Sequence, residues 1–220
     1  MRHQYFFQYH LSSEQLDLAQ QLVEYSIAHH PITDIFAQDP QGKERQREFR
    51  HTGTLGEIAF ADAYQLPRPT RSFGAIDGQD FGQDFRLPMD EKIWRCDLKT
   101  MQRQNNRFKQ NYVLNLPAYQ VHRPQSLTDC YFCISLHRQA NRYIASFLGY
   151  IPKNDILSGN VGILYVKGTT RTKDNKDQFV FQRDTYEVEF KDISSPPLSP
   201  HIQAMAGFRW LQLQKNPTIS

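Results

Sequence analysis

Two aspartates and one lysine have types and a spacing that suggest chemistry: Asp84, Asp97 and Lys99. Asp84 lies in a short run with strand character, residues 83–87, and the other two lie in a longer run, residues 92–100. Residues 88–91 between the runs read as a turn. Asp97 and Lys99 face the same side of a strand because they are two residues apart, whereas Leu98 faces the opposite side. If the two runs pair as a hairpin, both carboxylates lie near one point.

This set of side chains has a clear chemical use. Two neighbouring carboxylates repel each other, so each raises the free energy needed to ionise the other. A hard cation such as Mg²⁺ removes that penalty because it binds carboxylate oxygens, waters and phosphate oxygens. A lysine on the same face can orient or deprotonate a water, or offset charge that builds up on a phosphate. The set fits hydrolysis of a phosphodiester bond; the alternative is that Asp97 and Lys99 are solvated charges on an exposed face.

Length and composition set the outer bounds. The chain has 220 residues, 39% of them hydrophobic, and a formal net charge of +3. We expect a single domain over residues 1–193, with a helical N-terminal part at 1–50 and a core at about 50–190, followed by a C-terminal arm at 194–220 with a short helix. Nothing resembles a signal peptide or an apolar membrane span, which predicts a cytoplasmic protein with no membrane partner.

The three cysteines are Cys96, Cys130 and Cys133. The last two form a Cys-x-x-Cys inside an apolar run that is typical of a buried strand. No second cysteine pair or nearby histidine completes a zinc set, so we expect buried structural thiols in a reducing compartment.

A stretch without acidic residues, from Lys99 to Arg123, carries several arginines and amides. Such side chains hydrogen-bond phosphates and base edges. The candidate nucleic-acid-binding residues are Gln102, Arg103, Asn105, Asn106, Arg107 and Lys109. The alternative is a polar loop that merely lacks acids.

Two helices are predicted before the hairpin. The first begins near Ser12, with Ser13 as a plausible N-cap, and the second covers residues 52–64. Gly53 and Gly56 in the second helix each cost about 1 kcal/mol relative to alanine, which makes sense if another backbone passes close by. Glu57 could reach a metal on the neighbouring sheet, or it could be an ordinary glutamate near the helix start.

Further strands are predicted after the hairpin, at residues 130–136, 143–150, 162–166 and 185–190, with an exposed charged loop at 169–178. Residues 201–214 have a helical pattern that would dock on the core or join a partner subunit. The order of helix, hairpin, strands and helix indicates an α/β core with a mixed sheet.

Three short motifs occur in order: Gly53-x-x-Gly56-Glu57 on a predicted helix, Asp84 in a predicted strand, and Asp97-x-Lys99-Thr100 in the next. This set resembles the PD-(D/E)xK nuclease superfamily, over roughly residues 50 to 190. The proline that precedes the first Asp of that superfamily's motif is absent, since Gln83 stands there. The resemblance implies a restriction-endonuclease-like core, a central mixed β-sheet flanked by helices.

The resemblance also implies a site. Asp84 and Asp97 would ligate Mg²⁺, or Mn²⁺ in its place, together with the Leu98 carbonyl. Glu57 would ligate directly or through water, and Lys99 would orient or activate the attacking water.

The roles of two further residues are left undecided by the sequence. Asp80, in a similar Gln-Asp-Phe context, is the rival of Asp84 as ligand. Gln102 follows the motif where some members of the superfamily place a glutamine near the metal or the DNA.

The implied activity is that of a Mg²⁺-dependent DNA endonuclease, site-specific and of the restriction or homing type. Such enzymes usually cut double-stranded DNA as homodimers, because two active sites cut two strands. The alternatives are a repair or recombination exonuclease of the same superfamily, an RNA-directed nuclease, and a non-catalytic nucleic-acid-binding or assembly protein.

Overall fold

A computed structural model of the chain describes residues 5–29, 42–70, 84–89, 91–140, 142–172 and 178–215. The helices, in chain order, are α1 Ser13–His29, α2 Gly42–Ala63, α3 Ala118–Val121, α4 Lys153–Leu157 and α5 Pro200–Gln203. The strands are β1 Tyr5–His10, β2 Phe85–Met89, β3 Lys92–Arg103, β4 Val113–Pro117, β5 Cys130–Gln139, β6 Arg142–Pro152, β7 Ile163–Tyr165, β8 Thr170–Thr172, β9 Gln178–Val180, β10 Thr185–Glu189 and β11 Arg209–Gln212.

A six-stranded mixed sheet forms the centre of this α/β fold. Its spatial order is β11, β1, β6, β5, β3, β2. β3 and β5 are parallel, and the other neighbours are antiparallel. The expected class, α/β with a mixed central sheet, is therefore confirmed.

The sheet is covered on both faces. On one face α2 packs against β3 and β5, and α1 packs against α2. On the other face lies a small sheet of strand order β4, β10, β7. Phe132 of β5 belongs to the helix-side core, whereas Tyr131 and Cys133 belong to the core under the small sheet. β5 is buried on both faces, which explains its nearly continuous apolar run.

The sequence indicated a helical N-terminal part over residues 1–50. In the structure this part also contains a strand. Residues 5–10 form β1, between β6 and β11, because their side chains on both faces are largely buried. The N-cap of α1 is Ser12 and not Ser13. The Ser12 hydroxyl accepts from the Gln15 N–H (3.2 Å), and the Gln15 side chain accepts from the Ser12 N–H (2.9 Å), which is a capping box.

The second helix begins at Gly42, well before the expected residue 52. Its first half is held by α1: the buried Arg50 guanidinium donates to the Ser26 hydroxyl (3.1 Å), and Arg47 pairs with Glu24 (3.0 Å). These contacts are with residues distant in sequence, so the local pattern did not show that the helix is continuous from Gly42 to Ala63.

The expected helix at residues 201–214 is wrong. A short helix, α5, is followed by Gly207 at a φ of 71° and then by β11, which pairs with β1. Trp210 stacks on Tyr5 with ring centroids 5.8 Å apart, a cross-strand aromatic contact that favours a strand. Part of the expected arm is thus an edge strand of the central sheet.

Two smaller differences concern turns and loops. The expected turn at residues 88–91 begins later, since β2 continues through Pro88 to Met89. Proline is tolerated there because β2 is an edge strand. The charged loop expected at residues 169–178 contains β8 and the start of β9, which pair with each other.

The three cysteines are buried and free, which confirms the expectation of buried thiols. The Cys130 thiol donates to the Cys96 sulfur at 3.3 Å across the paired strands β3 and β5. Across the ranges given above, no helix is both long and apolar enough to cross a membrane.

Candidate active site

The candidate site lies where β3 continues past the start of β2. The pairing of these two strands starts at Phe85, which is opposite Cys96. The Asp84 N–H donates to the Cys96 carbonyl (2.8 Å), so Asp84 is held at the last rung of the hairpin. The strand edge that follows, from Leu98 onward, faces a cleft.

The Asp84 side chain lies against this edge. Its Oδ2 accepts a hydrogen bond from the Leu98 N–H at 2.6 Å. The N–H and C=O of one strand residue point toward the same neighbour. The Leu98 carbonyl therefore lies on the same edge as the Asp84 carboxylate, which brings two oxygen ligands of the predicted kind together.

Asp97 and Lys99 project from the opposite face of β3 to the buried Leu98 side chain, as the two-residue period requires. The Lys99 Nζ donates to Asp97 Oδ1 at 2.7 Å. Their side chains are only 20% and 13% exposed, so the pair is shielded from solvent on most sides. The Lys99 amine also lies 5.7 Å from the centre of the Tyr131 ring.

Glu57 reaches the cleft from α2, and Gly56 explains how α2 can lie so close to β3. A Cβ at Gly56 would overlap the Thr100 side chain, at 2.7 Å from Cγ2 and 2.8 Å from Cβ. A Cβ at Gly53 would meet no atom within 4 Å. Both glycines were expected to permit the close approach of another backbone. Only Gly56 permits a close approach, and the group that approaches it is the Thr100 side chain.

One cleft of about 1050 Å³ is lined by all four predicted site residues: Glu57, Asp84, Asp97 and Lys99. Leu98 lines it as well. The structure thus places the four predicted side chains along the lining of one cleft, while their catalytic roles stay predictions. In the described portion of the chain, no three His, Cys, Asp or Glu side chains form a ready-made metal cluster.

The candidate nucleic-acid-binding residues divide into two groups. Gln102 and Arg103 line the cleft, whereas the cleft lining does not include Asn105, Asn106, Arg107 or Lys109. After β3 the chain turns away from the cleft, since Phe108 is buried edge-on against Phe6 (5.2 Å). Of the candidate nucleic-acid-binding residues, therefore, only Gln102 and Arg103 share the cleft with Glu57, Asp84 and Asp97.

Arg103 has a packing role in addition to its place at the cleft. Its guanidinium lies 5.3 Å from the Tyr112 ring and 5.2 Å from the Phe190 ring, and donates to the Val113 carbonyl (3.1 Å). Burial lowers the pKa of Arg103 below the ordinary arginine value. This side chain anchors β3 to the small sheet.

Sequence reasoning missed much of the cleft wall. The wall opposite α2 comes from β4, α3 and the segment after it, and includes Asn115, Tyr119, Gln120 and Arg123, while Arg138 comes from the end of β5. Arg123 belongs to the stretch without acids noted above, which was the available signal. The distance between this stretch and the catalytic candidates depends on the packing of the small sheet.

Asp129, at the start of β5, lies outside the cleft lining. The Arg95 guanidinium donates to both of its oxygens, each at 2.9 Å, and the Arg95 N–H donates to Oδ2 (3.0 Å). The hydrogen bonds from Arg95 hold the pKa of Asp129 below its ordinary value. This pair joins the start of β5 to β3.

Asp80, the rival ligand, lies outside the described residues. Comparison of the chain with family models, with curated proteins and with solved structures found no match.

Proposed function

We propose that this chain is a metal-dependent deoxyribonuclease of endonuclease type, with a restriction-endonuclease-like core. The observation that carries the proposal is the shared cleft: Glu57 from α2, Asp84 from the start of the hairpin, and Asp97 and Lys99 from β3. The order of a helix, a hairpin and then β5 parallel to β3 supports the same core.

The donor set suits a hard cation. Asp84, Asp97 and the Leu98 carbonyl would hold Mg²⁺ or Mn²⁺ with oxygen atoms, and Glu57 would join directly or through water. When bound, the ion supplies Lewis acidity and lowers the pKa of a water.

Lys99 contributes a positive charge and hydrogen-bond donors, which a carboxylate lacks. Its amine is held at Asp97 by the 2.7 Å ion pair, so it lies within reach of the same point as the ligand oxygens. From there it orients the attacking water and offsets the negative charge that builds up on the phosphate. The partial burial of the pair strengthens this interaction, because water screens it less.

The test is the change Lys99→Ala, assayed on supercoiled plasmid with Mg²⁺ or Mn²⁺. We expect cleavage to fall by about 100-fold or more, the range of a lost proton-transfer or charge-stabilising group. Lys92→Ala is the matched control, since Lys92 lies on the same strand over the Trp94 ring and outside the cleft lining. Supercoiled substrate distinguishes an endonuclease from an exonuclease that needs an end.

A second variant distinguishes a loss of catalysis from a loss of folding. Asp84→Asn keeps an acceptor for the Leu98 N–H but removes the charge, so it should lose cleavage while its thermal unfolding stays close to wild type. Cleavage by Lys99→Ala at the wild-type rate would refute the proposal. DNA binding by the wild type without cleavage of any substrate would favour the non-catalytic alternative.

The predicted homodimer and its double-stranded DNA substrate stay predictions. Sedimentation of the protein with and without a DNA duplex would measure both.

A further inference from the structure

The two walls of the cleft differ in charge. The α2 wall contributes Glu48 and Glu57. The opposite wall contributes Arg123, and Lys99 and Arg103 of β3 project to the same sheet face, together with Asp97, whose carboxylate pairs with the Lys99 amine. The sequence holds no acid from residue 98 to 128. An anionic backbone that crosses the cleft would therefore lie on the basic wall and present one phosphate to the acids and their metal.

Two aromatic rings face the same cleft. Phe49 on α2 is 56% exposed and Tyr119 on α3 is 60% exposed, and both line it. These two helices lie on opposite faces of the sheet, so the rings lie on opposite walls around the open edge of β3. The exposed Tyr119 ring is therefore accessible to a ligand in the cleft.

Bases of a nucleic acid are the ligand that fits both features. An aromatic ring beside a basic groove is the arrangement by which proteins hold single strands, since every base has a face that can stack. In a continuous duplex those faces are covered by the neighbouring base pairs, so a ring at the wall can stack only on an unpaired base.

We propose that the cleft takes DNA with unpaired nucleotides beside the scissile phosphate, as in single strands, flaps or bulges, with a base stacked on Tyr119. This inference rests on the proposed function for the position of the phosphate. It narrows the substrate from DNA in general to DNA with exposed bases.

The test measures binding without cleavage. The full-length Lys99→Ala protein in Mg²⁺, and the wild type in EDTA, are titrated into one labelled sequence as a single strand, a flap and a duplex. 2-Aminopurine at unpaired positions reports stacking. We expect the single strand and the flap to bind at least tenfold more tightly than the duplex, and the 2-aminopurine fluorescence to change on binding.

Tyr119→Ala should weaken binding of the single strand by about 5- to 150-fold, which corresponds to about 1–3 kcal/mol per stacked base. Tyr119→Phe should keep the affinity, because the ring remains. Tyr25→Ala is the matched control, since Tyr25 is 55% exposed on α1 and lies outside the cleft lining.

Equal affinity for duplex and single strand, or equal effects of Tyr119→Ala and Tyr25→Ala, would overturn the inference. Failure of the proposed function looks different. Tight, Tyr119-dependent binding with no metal-dependent cleavage by the wild type would refute the proposed nuclease activity and support binding of unpaired bases. Cleavage of duplexes with no role for Tyr119 would support the nuclease activity and refute binding of unpaired bases.

Discussion

The two glycines of α2 provide a matched test of how the helix is packed. Gly53→Ala and Gly56→Ala make the same chemical change three residues apart in one helix. In a helix interior, alanine is favoured over glycine by about 1 kcal/mol. At Gly53 nothing lies within 4 Å of the new Cβ, so we expect a gain of about 0.5–1 kcal/mol in the free energy of unfolding.

At Gly56 the same gain is opposed by overlap with Thr100. The new Cβ would meet the hydroxyl, Cγ2 and Cβ of that side chain, the last two at 2.7 and 2.8 Å. Thr100 lies on β3, which is paired with β5 and cannot move cheaply. Overpacking of this kind costs about 1–3 kcal/mol, so after the opposing gain the net effect is a loss of up to about 2.5 kcal/mol.

Thermal unfolding followed by circular dichroism measures both variants. For a chain of this size 1 kcal/mol corresponds to about 2–4 °C, so Gly53→Ala should raise the melting temperature and Gly56→Ala should lower it by several degrees. In a Thr100→Ala background the penalty at Gly56 should shrink, since two of the three overlapping atoms are gone. A Gly56→Ala protein as stable as the Gly53→Ala protein would refute the close packing of α2 on β3.

Two further predictions concern titratable groups outside the cleft. Arg95 holds the pKa of Asp129 below 3.8, so its stabilising effect is complete above about pH 3.8 and is lost as the pH falls through the lower folded-state pKa. Asp129→Asn should therefore reduce the urea midpoint at pH 7, and the difference from wild type should shrink as the pH falls below 3.8; a constant difference would contradict the pairing. The hydrogen bond to Cys96 and burial raise the pKa of Cys130, and burial raises that of Cys133 to about 12. Mass spectrometry after iodoacetamide at about pH 8 should find the folded protein unlabelled and the urea-unfolded protein labelled at all three cysteines; rapid labelling of the folded protein would show that the thiols are accessible.

The part of the site that the sequence predicted well is local. Asp84, Asp97 and Lys99 lie within one hairpin, so strand period and a turn are enough to place them near each other. The helix that carries Glu57 was recognisable because its apolar residues recur at helical spacing.

What the sequence did not predict depends on distant contacts. The sequence indicated helix before residue 50 but not one continuous helix over Gly42–Ala63, whose first half is held by the contacts of Arg50 and Arg47 with α1. β11 is four residues long and is stabilised by pairing with β1, so the local pattern around Trp210 and Leu211 fitted a helical period instead. Tyr119 and the other residues of β4 and α3 line the cleft only because the small sheet packs on the central sheet.

The pairing of β1 with β11 has a consequence for how the chain folds. Tyr5 is opposite Gln212, so two strands that are far apart in the sequence must meet. Closing so long a loop is slow, because the entropy is lost before the contacts form. During synthesis, β1 leaves the ribosome long before β11, and Phe7 stacks on Trp210 only after β11 has emerged. We therefore expect the edge of β1 to remain open until β11 has been synthesised, which exposes this strand to wrong pairing in the nascent chain.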